Sequence, residues 1–244
     1  MRIAAFSAFP HELRHLVKSF AASKHSLKCH FPVASAFYRS HEILFVQTGM
    51  GTQNAEMALN YIFKESRPDY ILSMGFGGAL YKGAVPGDLI WASKIFSLTQ
   101  NSIESVDIPG AEITVRRLSG KVILQEKSII TLDRWMPKSE IEKILPRDFP
   151  SLVCDMETYP LAKLAIREGI PFFAVRSITD RIDEDIPQAL LDVCDKAGNY
   201  SCLKAFRLLL RQPNLVPMSI RLGRNSSRAS KNLALAVISL IDIL

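Results

Sequence analysis

The chain has 244 residues, 48% of them hydrophobic, enough for one or two domains around a sizeable core, which excludes a small disulfide scaffold and a disordered chain. Its net charge of +6 is unevenly placed: no acid lies between Asp195 and Asp242, whereas Lys196, Lys204, Arg207, Arg211, Arg221, Arg224, Arg228 and Lys231 all do, so a basic tail follows a slightly acidic body. Cys29, Cys154, Cys194 and Cys202 form no CxxC pair and keep no histidine-rich company, which reads as reduced thiols in a cytosolic protein rather than a zinc cluster or a disulfide framework.

The apolar run Met1 to Phe9 is broken by Pro10, His11 and Glu12 with no small-residue cleavage site, so no secretory signal is expected. From there β-rich runs alternate with helical patterns, which predicts an α/β architecture with a largely buried sheet. Strands are predicted at Arg2–Phe6, Ile43–Gln47, Tyr70–Met74, Asp88–Ser93, Ser151–Cys154 and Phe172–Arg176. Helices are predicted at His11–Ala22, Asn54–Glu65, Ser139–Ile144 and Thr158–Glu168, the last with Pro160 in its first turn and stopped by Gly169 and Pro171. The stretch Leu98 to Arg134 reads as less regular, strands with a mobile connection. After Asp195 two helices are expected, Ser201–Arg211 and Met218–Leu240, separated by Pro213–Pro217. The longest late apolar run, Leu233 to Ile241, is far shorter than the about 20 residues of a membrane span. The chain is thus expected to divide into a catalytic body, 1–195, and a basic helical extension, 196–244.

Four segments carry chemistry. They are Glu12 after the first strand, Thr48-Gly49-Met50-Gly51, Ser73-Met74-Gly75-Phe76-Gly77-Gly78, and Asp155-Met156-Glu157 with Arg176-Ser177-Ile178-Thr179-Asp180 downstream. Each is expected at or just past a strand end, the edge where open α/β sheets bind ligands. Glycines there let backbone groups approach a ligand, although either glycine run taken alone reads equally as a tight turn. Neither fits a Walker A loop or a dinucleotide fingerprint. Asp155 reads as a helix cap. Glu157 and Asp180 follow runs of buried-strand character, and a carboxylate in such a place must find a partner. Glu12 in isolation reads as a first-turn acid favoured by the helix dipole. His11-Glu12-Leu13-Arg14-His15 matches the H-E-x-x-H zinc pattern letter for letter, but with no third ligand evident neither a metal nor another cofactor is expected.

In order and spacing these segments resemble the nucleoside phosphorylase and nucleosidase superfamily of the purine phosphorylase type, from Arg2 to about Asp180. Val153-Cys154-Asp155-Met156-Glu157 is similar to the family's V-x-M-E element. Ile170-Pro171-Phe172 through Val175-Arg176-Ser177-Ile178-Thr179-Asp180 is similar to its I-P-F-x-x-x-R-x-I-S-D element. The resemblance implies a three-layer α/β/α fold with a central mixed, partly barrel-like sheet, here with a C-terminal helical extension. It implies that Met156 and Glu157 hold ribose, that Asp180 supports protonation at N7 of a purine leaving group, and that Gly75 to Gly78 line the base pocket. Met50, Gly51 and Thr179 complete the expected substrate contacts. Breaking an N-glycosidic bond builds positive charge on the sugar and negative charge on the base, which calls for an acid at one and an anionic surround at the other.

Phosphorylases resembling this family carry a Gly-Asp-Pro-x-Arg element near the N-terminus, where this chain has Phe9-Pro10-His11-Glu12. Hydrolytic members carry a glutamate that positions water, and Glu12 matches it, which favours hydrolysis over phosphorolysis. Phe76 replaces a small or hydroxyl residue of the glycine loop, and Thr179 replaces the usual serine. The segment around Ser128-Ile129 lies where other members place a residue against the base. The Ile186-Pro187, Asp195-Lys196-Ala197-Gly198 and Leu210-Arg211-Gln212-Pro213 landmarks, with Val216-Pro217 and Ile220 to Arg224, look like the tail of the hopanoid-associated phosphorylase-like subfamily. That resemblance implies a lipid-linked adenine nucleoside, adenosylhopane, as substrate, and a rival within the superfamily is a soluble nucleoside such as methylthioadenosine. A rival of another class is a binding module without turnover.

The tail's bases fall on helical faces, with Arg221, Arg224, Arg228 and Lys231 spaced three, four and three apart. That face reads as solvated, or as a contact with an anionic membrane surface, placing the chain in the cytoplasm or at the inner membrane face. Nucleic acid is not expected, because the tail is poor in aromatic residues that stack bases. A homo-oligomer is expected from the family resemblance.

Overall fold

The computed structural model describes residues 1–25, 31–100, 102–110, 118, 122–146, 149–150, 152–195, 199 and 201–244. The expectations touching Cys29, Ser151, Lys196 to Gly198 and the side chain of Cys202 lie outside the described residues, as does much of the Leu98 to Arg134 stretch between 111 and 121.

Among the described residues ten strands form one mixed sheet: β1 (Arg2–Ser7), β2 (Ser23–His25), β3 (Val33–Tyr38), β4 (His41–Gln47), β5 (Tyr70–Ala79), β6 (Leu89–Leu98), β7 (Ile103–Asp107), β8 (Leu124–Leu132), β9 (Leu152–Asp155) and β10 (Phe172–Asp180). Their order is β10-β6-β8-β9-β5-β1-β4-β3-β2, with β7 on β6, and β10 also pairs with β5. That last pairing closes β5, β10, β6, β8 and β9 into a barrel, and β1 to β4 continue from it as an open wing. Closure supplies partners on both sides to β10, so all nine of its residues are buried.

The helices are α1 (Pro10–Ser19), α2 (Thr52–Glu65), α3 (Lys138–Ile144), α4 (Thr158–Arg167), the short α5 (Gln188–Leu191), α6 (Cys202–Arg211) and α7 (Val216–Ile241), with a 3₁₀ turn at Pro213–Leu215. Helix α2 packs on α4, and α1 on α7. The expected end of α4 holds, since Gly169 takes φ +66°, a left-handed stop open to glycine. Leu233, Ala236, Val237 and Leu240 of α7 belong to the same apolar cluster as Phe6, Leu16 and Leu72. Polar clamps repeat along α7: Asn225 Nδ2 donates to Thr179 O at 2.9 Å, Ser230 Oγ to His11 O at 2.7 Å and Asn232 Nδ2 to Gly87 O at 2.8 Å. At its end Asp242 accepts from Tyr38 Oη at 3.0 Å and pairs with Arg39.

Two expectations about position are corrected. Gly75 to Gly78 and Arg176 to Asp180 lie inside strands, not beyond them, because β5 and β10 pair in parallel from Phe172↔Ile71 through Asp180↔Gly78. Strand β3 was not expected from the sequence, and β7 and β8 bring order to the stretch read as irregular. Ser128 and Ile129 sit within β8, with Ile129 fully buried, so Ile129 is a core residue.

Replacing the fully buried Leu233 by alanine is expected to cost about 2–5 kcal/mol of global stability, through lost transfer energy and the cavity left behind. Urea unfolding measures this, and a loss under about 0.5 kcal/mol, as for a surface site, contradicts the placement of α7 in the core.

Candidate active site

The turn from β1 into α1 sets Glu12. Pro10 opens the helix, where a missing N–H costs little, and Glu12 stands in the first turn. Its side chain folds back so that Phe9 N–H donates to Oε2 at 2.8 Å, while Phe76 N–H of β5 donates to Oε1 at 2.6 Å. Glu12 is only 2% exposed, whereas His11 beside it is exposed, so the zinc-like pattern is split between interior and surface. Burial raises the Glu12 pKa above the usual carboxylate value, opposed by the Phe9 and Phe76 N–H groups and by Arg176. Gly75 makes this approach possible: a Cβ there would fall 2.7 Å from Glu12 Oε1.

Arg176 of β10 lies behind Glu12 at 2% exposure. Its Nε and Nη2 donate to Asp155 Oδ2 at 3.0 and 2.6 Å, Nη2 also reaches Ser73 Oγ at 2.9 Å and Thr158 Oγ1 at 2.5 Å, and Nη1 donates to Val175 O. Asp155 further accepts from Thr131 Oγ1 at 2.6 Å, from Thr158 N at 3.2 Å and from the Thr158 hydroxyl. Asp155 does accept a first-turn N–H, as a cap would, but its principal partner is a buried guanidinium. One residue pair further on, Glu157 Oε1 accepts from Gly51 N–H at 2.8 Å and Oε2 from Met156 N–H at 3.3 Å. Burial first, and repulsion from Asp155 second, push the Glu157 carboxyl up to about 8, against the pull of Gly51 N–H and Arg176.

Glu12, Glu157, Arg176, Ser73, Gly75 and Phe76 line one cavity of about 10 Å³, close to the space that a single water molecule occupies. Two carboxylates, a guanidinium and a hydroxyl offer it both donors and acceptors.

A second cluster surrounds Asp180 at the end of β10. Thr179 Oγ1 donates to Asp180 Oδ1 at 2.6 Å, and the ammonium of Lys138 pairs with Oδ2. Lys138 is 5% exposed, and its ammonium also donates to the carbonyls of Arg181 and, at 2.9 Å, Glu184, while its backbone N–H meets Asp185 Oδ1 at 2.7 Å. Burial raises the Asp180 pKa, and Lys138, then Thr179, oppose it. Gly78 makes room, since a Cβ there would lie 2.8 Å from Asp180 Oδ2 and 3.0 Å from Cys154 Sγ. The half-buried Cys154 thiol beside Asp180 is pushed up to about 12 by desolvation and by the Asp180 charge, and is an inert neighbour.

The structure thus brings Glu12, Glu157, Gly75 and Phe76 together around one cavity, with Gly51 and Met156 hydrogen-bonded to Glu157 and Met50 next to Gly51. Asp180, Thr179 and Gly78 form the neighbouring cluster, and Gly77 fills a different need, with Val153 Cγ1 2.4 Å from where its Cβ would be. Lys138, Thr131 and Thr158 are not singled out by the sequence, and Ser73, Asp155 and Arg176, though within the chemical segments, are not given their roles there. Arg176 carried a signal, an arginine in an otherwise apolar strand; Lys138, in a charged helix start, carried none. Among the described residues no set of three histidine, cysteine, aspartate or glutamate side chains gathers as metal ligands.

The sequence model of the Phosphorylase superfamily matches residues 2–209. The chain belongs to that superfamily. Among phosphorylase superfamily relatives, the 5′-methylthioadenosine/S-adenosylhomocysteine nucleosidase of Shewanella loihica is 24% identical over 227 residues, covering 86% of this chain and 99% of that protein. The superfamily fold recurs in the crystal structure of the nucleosidase of the same name from Helicobacter pylori, with TM-score 0.76 and 17% identity over 100% of this chain and 99% of that one. It recurs in futalosine hydrolase of Helicobacter pylori, with TM-score 0.77 and 16% identity over 100% and 98% of the two chains.

Two outcomes follow from the buried charges. Lys138→Met leaves Asp180 buried without its cation and is expected to cost about 3–5 kcal/mol in urea unfolding. Adding Asp180→Asn to it should restore much of that loss; a strictly additive double variant contradicts the pairing. The Glu157 carboxyl ionises near 4.5 when unfolded and near 8 when folded, so its contribution to stability is complete below pH 4.5 and is lost as pH rises to about 8. Glu157→Gln should therefore melt several degrees above the unsubstituted protein at pH 9, with the gap closing toward pH 4.5. Thermal melts across that range check it, and a pH-independent gap contradicts it.

Proposed function

We propose that this chain hydrolyses the N-glycosidic bond of an adenine nucleoside. The observation that carries the reading is the convergence of Glu12 and Glu157, with Arg176, on one polar cavity. The arginine-bearing element with which phosphorylases of this kind hold phosphate is replaced here by Phe9-Pro10-His11-Glu12, and a buried carboxylate there repels a phosphate anion, which favours hydrolysis over phosphorolysis. The names of the relatives agree, since they are nucleosidases and a hydrolase.

In this reading the C1′–N9 bond breaks with its electron pair passing to the base. A proton taken up from solvent reaches N7 by way of the Asp180 carboxyl, which the Lys138 ammonium and the Thr179 hydroxyl hold in place. Water held by Glu12 attacks C1′ and yields its proton to that carboxylate. Glu157, with Met156, holds the ribose hydroxyls, and the oxygen-rich surround of the sugar offsets the cationic character of the transition state. Phe76 presents its N–H to Glu12, so its side chain can differ from the family's small residue without disturbing the water site. Thr179 keeps the hydroxyl that a serine would supply to Asp180. Gly75 and Gly78 keep the wall of the pocket free of side chains. A lipid-linked nucleoside of the adenosylhopane class extends this reading, on the resemblance of the tail.

Glu12→Gln and Asp180→Asn are each expected to lower kcat by about 10²–10⁴-fold. The assay supplies adenosine, methylthioadenosine and an adenosylated hopanoid, with and without phosphate, and identifies base and sugar by mass spectrometry. Free adenine with unphosphorylated sugar is expected. A phosphate-dependent sugar phosphate overturns the hydrolytic reading, and release from no substrate favours a binding module.

A further inference from the structure

Helix α6 presents an apolar face that, among the described residues, nothing covers. Leu203, Phe206 and Leu210 are 58%, 61% and 67% exposed, and they share an arc of about 60° on the helix. Among the described side chains of this helix, Ala205 alone is buried. Lys204, Arg207 and Arg211 are exposed on the arc next to the stripe, and among the described residues none of them is held in an ion pair. No acid occurs on α6 or α7, and α7 opens with exposed Val216 and Ile220, one turn apart. The α7 bases are more committed: Arg221 pairs with Glu184 at 3.3 Å, and the stem of Arg228 covers Gly87.

The flanks of α6 are fastened to the edge of the sheet that bears the candidate site. Before it, Asn199 Oδ1 accepts from Gln47 Nε2 at 3.3 Å, where β4 leads into Thr48 to Gly51. After it, Asn225 holds the carbonyl of Thr179, next to Asp180.

We propose that α6 docks this chain on an anionic lipid bilayer, with Leu203, Phe206 and Leu210 entering the acyl boundary and Lys204, Arg207 and Arg211 meeting the headgroups. An exposed aromatic and leucine stripe edged by bases, with no acid in the segment, has the chemistry of an interfacial helix. Among the described residues no helix is long and apolar enough to cross a membrane, so the contact is peripheral. Its tethering beside the site gives the contact a use, because a nucleoside whose 5′ group is a lipid could enter from the bilayer. That use rests on the reading of function above; the docking rests on the surface alone.

Co-sedimentation of the full chain with vesicles tests the docking without any turnover. Binding is expected to vesicles of phosphatidylglycerol and phosphatidylcholine, to fall in high salt, and to be weak on phosphatidylcholine alone. The K204Q/R207Q/R211Q variant should lose on the order of 100-fold in partitioning. Leu210→Gln, a single change that keeps the helix, should lose about 10-fold, and Phe206→Trp should show a blue-shifted emission on anionic vesicles. A full chain that stays in the supernatant with anionic vesicles overturns the proposal. So does binding that neither variant weakens, or a stripe that proves by light scattering to hold two copies of the chain together and leaves no lipid binding.

Discussion

A single buried ion pair, Arg176 with Asp155, fixes the geometry on which the rest of the site depends. Through it and its hydroxyl partners, β5 (Ser73), β8 (Thr131), β9 (Asp155), α4 (Thr158) and β10 (Arg176) are tied at one point. The guanidinium is also the cation that faces Glu12 and Glu157, so it lowers both carboxyls against burial. Such a pair adds little net stability over a well-packed apolar core, because desolvating both ions is expensive. What it supplies here is position: every donor on Arg176 Nη2 has a fixed partner, and the two glutamates are placed relative to it.

Barrel closure and this pair act together. Because β10 is bonded to both β5 and β6, the strand carrying Arg176 and Asp180 cannot slide, and its register delivers Asp180 opposite Gly78. The glycines of β5 then have distinct duties. Gly75 admits Glu12, Gly77 admits Val153, and Gly78 admits Asp180 with Lys138 and Cys154. Glu12 arrives from a different direction, on a helix start whose Phe9 and Phe76 N–H bonds leave its carboxylate little freedom. The two proposed roles, activating water and protonating the base, therefore fall to groups held by separate devices: backbone amides for one, an ammonium and a hydroxyl for the other.

The α/β class, most strand cores and the order of the chemical segments were legible because apolar periodicity and glycine position report on local backbone. Gly169 and Pro160 marked the ends of α4 correctly for that reason. The lengths of β5 and β10 were not legible, since what extends them is their pairing with each other across a hundred residues of sequence. Strand β3, short and of small residues, gave a weak pattern that its partner β4 completes. Asp155 looked like a cap because the local signal of a cap and of a buried acid before a helix is the same. Lys138 was invisible for a similar reason: a lysine at a helix start reads as a solvated charge, and only the fold turns it toward Asp180.

The clamps along α7 have a consequence for how the molecule comes into being. His11 and Ser230 are bonded although 219 positions apart, and Tyr38 closes on Asp242 near the chain's last residue. The apolar seat for α1 is thus built largely from residues that leave the ribosome some two hundred positions after it. During synthesis the first strands and α1 emerge with that seat vacant, and contacts of such long range are slow to form. Thr179, beside Asp180, gains its carbonyl partner only when Asn225 arrives. The site is finished from the back of the chain, so a translation product stopped short of α7 would carry every residue assigned to catalysis and still lack the wall that holds them in place.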